Sequence, residues 1–162
     1  MKKFELKTHY KKILADTISP VSVYLKIRDK FPNSILLESS DYHGNDNSFS
    51  YICCNPIASI KVDANLITKT YPDQTVNTTT VTPEKVTSEI DTFTKQFETQ
   101  KDTSFKFINN GMFGFTAYDA VKYFEDITIS KKDDSIEIPE MYYAVYQNII
   151  AINHFKNEAY IF

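Results

Sequence analysis

Apolar and polar positions alternate through most of this chain, and helical spacing replaces that alternation in only two or three places. "FELKTHYKKIL" (Phe4 to Leu14) alternates loosely and reads as an edge strand. In "SPVSVYLKIRDKF", Val23, Tyr24, Ile27 and Phe31 fall on one helical face, with Ser19 as N-cap and Pro20 as the first helical residue. Pro32-Asn33 ends that helix. "SILLESS" then reads as a strand, "DYHGNDN" as a loop and "SFSYICC" as a second strand. "IASIKV", "LITKTY" and "TVNTTTV" are rich in β-branched residues and separated by Asp63-Ala64-Asn65 and Pro72-Asp73, which predicts a meander. "TPEKVTSEIDTFTKQFET" returns to helix, with Thr82 as cap, Pro83 first, and an apolar stripe of Val86, Ile90, Phe93 and Phe97. "FKFINNGMFGFTAYDAVKYFED" predicts a strand, a glycine-containing turn, another strand and a short helix begun by Asp119. "EMYYAVYQNIIAINHFKNEAYIF" predicts a long strand, a turn near Lys156-Asn157 and a returning strand. Without a βαβ rhythm, this order predicts an α+β fold, mostly antiparallel sheet with two or three helices, in a single domain over residues 1–162.

Composition narrows the classes. Of 162 residues, 42% are apolar and 14% aromatic, enough for a packed core and too much for a disordered chain. The net charge of −3 is spread without a basic stripe, which argues against nucleic-acid or anionic-membrane binding. The densest basic stretch, Lys2 to Lys12, is interleaved with Glu5 and apolar residues, as on the solvated face of a strand. No signal-type or membrane-length apolar run follows Met1, so a cytoplasmic location is expected. Cys53 and Cys54 are adjacent, a spacing that rarely bridges; on a strand they point to opposite faces, so at most one is expected to be buried. The chain stops at Phe162 within a strand pattern, the expected mark of one segment of a longer protein.

Candidate chemistry is sparse. Gly44, Gly111 and Gly114 do not form a phosphate-cradling loop, and His9, His43 and His154 are scattered without metal-ligand spacing. No serine sits in a nucleophile elbow, and Asp119 and Glu125 read as a helix cap and a solvated terminus. Glu38 stands apart. Three aliphatic residues run into it, and a carboxylate in an aliphatic core requires a partner. Alternation sets Ile35, Leu37 and Ser39 on one face and Leu36, Glu38 and Ser40 on the other. In the next strand Phe49 and Tyr51 share a face, and Ser48 and Ser50 share the opposite one. A hairpin of the two strands gathers a carboxylate, hydroxyls and an aromatic ring, a set suited to a zwitterionic, partly aromatic ligand. The same pattern also describes a solvent-facing edge strand on which Glu38 is simply hydrated.

"SPVSVYLKIRDKFPNSILLESSDYHGNDNSFSYICCNPIASI" resembles the N-terminal region of anthranilate synthase component I, with "LLESS" matching the family's LLES element and the right spacing to "SFSYI". "NGMFGFTAYDAVKYFE" and "PEMYYAVYQNIIAINHFKNEAYIF" resemble two further family segments, so the resemblance covers nearly the whole chain. It implies an N-terminal regulatory domain for L-tryptophan feedback. Glu38, Ser39 and Ser40 would touch the ligand, with Phe49 and Ser50 close by and Glu38 on the α-ammonium. The basic residue that many relatives carry near Ser48 and Phe49 is absent here. The resemblance places chorismate chemistry and its Mg²⁺ in a C-terminal catalytic domain outside this chain. By itself the chain is then inactive, holds no cofactor and binds tryptophan weakly at best. The whole enzyme would make anthranilate with ammonia from a glutamine amidotransferase subunit, component II. Aminodeoxychorismate synthase component I has a similar N-terminal region, and a non-catalytic amino-acid-binding or interaction module is the remaining alternative.

Overall fold

The computed structural model describes residues 2–38, 48–99, 104–127, 129 and 138–162. Among these, the elements run β1 (Phe4–Leu6), β2 (Lys11–Leu14), α1 (Pro20–Ile27), β3 (Ile35–Glu38), β4 (Phe49–Asp63), β5 (Leu66–Thr70) and β6 (Val76–Thr80). They continue as α2 (Val86–Thr94), β7 (Phe97–Thr99), β8 (Met112–Thr116), β9 (Met141–Asn153) and β10 (Glu158–Ile161), with 3-10 turns at Pro83–Lys85 and Tyr118–Tyr123. The strand pairs with described register are antiparallel, in keeping with the α+β class.

Local chemistry explains most boundaries. Ser19 Oγ accepts a hydrogen bond from Ser22 N at 3.4 Å, and Pro20 opens α1. Asp63 pairs with Leu66, so Ala64 and Asn65 form a two-residue hairpin loop, with φ of 47° and 67°. Several expectations are corrected. The Phe4–Leu14 segment splits into β1 and β2. "SFSYICC" and "IASIKV" join in one strand, because the left-handed Asn55 (φ 60°) absorbs the irregularity at Pro56. Thr82 does not cap a helix, since its hydroxyl turns to the Glu84 carboxylate. The turn after β8 starts from Ala117 rather than Asp119. Residues 104–110 carry no strand; the alternation of Phe105 and Phe107 reflects ring packing instead.

The chain divides into two compact units. One, here the α1 unit, comprises residues 6–56, 99–111 and 146–162. Its strand order is β2-β10-β9-β4-β3. Register aligns Ile13, Ala159 and Ile152 across one face and pairs Leu36 with Ile52. Val23, Tyr24 and Ile27 of α1 pack onto that aliphatic face. The other face carries aromatic rings: Phe49 stacks on Phe107 at 4.6 Å, and Phe105, Tyr160 and Phe162 follow at 5.1–5.7 Å. Both faces of β4 are therefore covered, and both Cys53 and Cys54 are buried, contrary to the expectation of one.

The α2 unit comprises residues 1–5, 57–98 and 112–145, with strand order β8-β9-β4-β5-β6. Ile60, Val62 and Ile67 share a face by register and are fully buried. The same face of β5 carries Lys69, whose Nζ meets Glu89 of α2 at 2.5 Å. Val86 and Phe93 of the predicted stripe are fully buried, and Phe93 packs on Phe97 at 5.1 Å.

Gly114 of β8 lies opposite Tyr143 of β9, and a Cβ on it would fall 1.9 Å from the Tyr142 carbonyl oxygen. Backbone at that distance cannot yield as a flexible side chain can. Gly114→Ala is therefore expected to lower stability by about 3 kcal/mol, read as a lower urea midpoint at unchanged slope.

Candidate functional site

The hairpin of β3 and β4 sets Glu38 directly across from Ser50, so both project from the same face. Glu38 is exposed, as is its neighbour Leu37 at 37%. Of the two readings of Glu38, its exposure matches the hydrated edge strand and not the aliphatic core: β3 is a four-residue edge strand and Glu38 is its last residue, so water reaches it. Behind it the environment changes sharply. Ser50 has no exposed surface, and Ser48 and Asn153 are also buried. Three of the four buried polar residues among those described thus gather where β4 begins and β9 ends.

His154 ties this group together. Its Nε2 lies 2.7 Å from Ser50 Oγ, and its backbone N–H donates to Ser48 O at 3.0 Å. Asn153 Oδ1 accepts from Lys156 N at 2.8 Å and fixes the adjoining turn. Phe49 occupies the opposite face of β4, against Phe107 and, at 6.0 Å, Tyr51. Ser39 and Ser40 lie outside the described residues. The structure thus brings together Glu38 and Ser50 of the sequence-predicted set, sets Phe49 on the far face, and adds His154. Read from the sequence, His154 looked like one of three scattered histidines. Its only signal was the polar pair Asn153-His154 closing the apolar run "IIAI".

A serine hydroxyl on an imidazole nitrogen resembles the first two members of a nucleophilic triad. Ser50 has no surface from which to attack a substrate, so the contact is a fixed hydrogen bond inside the sheet. The arrangement is a buried hydroxyl on a half-buried imidazole, lying across from a hydrated carboxylate, suited to holding a cationic group rather than breaking a bond. No group of three or more metal-ligating side chains occurs among the described residues.

No family model matches the chain. It is 30% identical over 152 residues to anthranilate synthase component 1 of Lactococcus lactis, covering 94% of this chain and 31% of that protein. The chain is a relative of anthranilate synthase component 1. The protein of that name from Thermus thermophilus is 28% identical over 153 residues, again across 94% of this chain and 31% of its own length. The chain therefore spans less than a third of the curated relatives it matches. A crystal structure of anthranilate synthase component I from Streptococcus pneumoniae is similar with a TM-score of 0.48 at 23% identity, over 94% of this chain and 31% of that one.

The α2 unit holds a roomier hollow. That cavity, about 680 Å³, is bordered by Asn65, Glu84, Lys122, Tyr123 and Asp126. Lys122, Tyr123 and Glu140 are spent on one another, while Asn65 Oδ1 is buried without a hydrogen-bond partner among the described residues. Glu140 accepts hydrogen bonds from Lys122 and Tyr123 and, at 3.2 Å, from Ala64 N, while Tyr123 Oη accepts from Asn65 N at 3.2 Å. The network pins the left-handed hairpin loop. Burial pushes the Glu140 carboxyl up, but the bonds from Lys122 and Tyr123 outweigh it and hold the group below its ordinary value. Burial first, and then Glu140, push the Tyr123 hydroxyl well up.

A carboxyl depressed in the folded state stabilises above its unfolded value and loses that contribution as pH falls through the folded one. Denaturant unfolding measured from about pH 7 down to about pH 3 is expected to show falling stability below the ordinary glutamate range near about 4.3. Glu140→Gln is expected to be less stable at neutral pH and to show a shallower decline with acid.

Proposed function

We propose that this chain is the N-terminal regulatory part of an anthranilate synthase component I and that its β3–β4 hairpin contributes to a site for L-tryptophan, the end product. The whole enzyme would convert chorismate to anthranilate, using ammonia from a glutamine amidotransferase subunit. Its Mg²⁺-dependent chemistry would belong to a catalytic domain outside this chain. The observation that carries the reading is the pairing of Glu38 with Ser50 within an "LLESS" hairpin, in a chain whose curated relatives bear the name anthranilate synthase component 1.

The exposed Glu38 carboxylate would take the ligand's ammonium, and desolvation would arise only when the ligand covers it. Ser39 and Ser40 would supply hydroxyl and backbone donors to the ligand carboxylate. Phe49, Tyr51 and Phe107 would stiffen the strand from its far face. Feedback follows if tryptophan favours one of two arrangements of this part and the catalytic part.

In the intact enzyme, Glu38→Ala or Ser39→Phe is expected to raise the tryptophan concentration for half-inhibition by about tenfold or more, because a charge-assisted hydrogen bond or the space for the ligand is lost. The melting temperature of Glu38→Ala is expected within about 2 °C of wild type, since an exposed edge position contributes little to stability. Two variants inhibited at the wild-type tryptophan concentration would falsify the assignment.

A further inference from the structure

We infer that His154 is a positioning residue of the amino-acid site, acting through Ser50 to keep the Glu38 carboxylate free for the ligand's ammonium. The inference rests on the tryptophan reading above and deepens it. A serine hydroxyl has one proton to give and two directions in which to accept. Ser50 has no exposed surface, so water cannot take that proton and a protein acceptor must. His154 Nε2 lies 2.7 Å from the Ser50 hydroxyl, and in the tautomer assigned to the ring Nε2 is unprotonated and accepts. With the proton committed there, Ser50 does not spend it on Glu38, its partner across the hairpin. Glu38 then keeps its full accepting capacity for a bound ammonium. Without the imidazole, the buried hydroxyl turns its proton toward the β3 side and competes with the ligand for the carboxylate.

The imidazole is separable from the architecture around it. The backbone bond from His154 N to Ser48 O, at 3.0 Å, does not depend on the side chain. Replacing the ring therefore leaves the end of β9 attached to the start of β4 and removes only the acceptor. Ser50 serves the ligand through Glu38 in this arrangement, not by touching it.

Calorimetric titration of the protein carrying this chain tests the inference, using L-tryptophan and, separately, indole-3-propionate, which lacks the ammonium. His154→Leu is expected to weaken L-tryptophan binding about tenfold, the worth of one charge-assisted hydrogen bond, and indole-3-propionate binding by less than about threefold. His154→Gln, whose amide oxygen can accept from Ser50, is expected to stay within about threefold of wild type for both ligands. The double variant Ser50→Ala/His154→Leu carries no orphaned proton and is expected to recover L-tryptophan affinity to within about threefold of wild type; it also serves if His154→Leu alone does not fold. Equal losses for both ligands, an indifferent His154→Leu, or a double variant still weakened tenfold overturns the inference and leaves the tryptophan reading standing. A wild-type protein that takes up no L-tryptophan overturns that reading and this inference together.

Discussion

The pairing of β4 with β9 is the constraint on which the other elements depend. These are the longest strands, at 15 and 13 residues, and each contributes one stretch to each unit. In the α1 unit they seat β10 and β3; in the α2 unit they seat β8 and β5. A strand bonded along both edges and covered on both faces has little freedom in register, because a one-residue slip would exchange its aliphatic and aromatic sides. Everything attached to such a strand inherits its position, and in the α1 unit this includes Ser48 and Ser50 at the start of β4.

The candidate site is defined by a gradient of hydration. Glu38 stands in water at the end of a short edge strand, while Ser50, across one backbone ladder, is dry and committed to His154. A carboxylate meant to meet a cation benefits from this order. The groups behind it are fixed in advance, so little would have to be ordered on binding. The Glu140 network of the α2 unit shows the contrary design: a carboxylate whose bonds are all filled by its own chain serves to fix a loop.

Periodicity made the element order legible because the relevant signals are local. Ser19-Pro20, Asp63-Ala64-Asn65 and Lys156-Asn157 mark their turns and caps by backbone chemistry alone. The errors fell where local and tertiary signals differ. Asn55-Pro56 reads as a break, yet one left-handed residue lets β4 continue. Phe105 and Phe107 alternate like a strand, yet their spacing answers to other rings. The two units were invisible as a composition shift, because each is assembled from separated segments and shares its two main strands with the other. At the site, the aliphatic run singled out Glu38 and the "LLESS" resemblance gave it a ligand, but its pairing with Ser50 emerged only from the register. His154 is 104 residues from Ser50, a distance over which periodicity carries no information.

One consequence of the doubly covered β4 concerns its two thiols. Burial pushes the Cys53 thiol up to about 12 and raises that of Cys54 as well, so neither presents a thiolate near neutrality. Adjacent on one strand with side chains on opposite faces, both are buried away from soluble oxidants. Modification of Cys53 requires the aromatic layer to lift, and modification of Cys54 requires the opposite face to open. The pair is therefore a two-channel reporter built into the sheet: which sulfur reacts first tells which side of the sheet lets go.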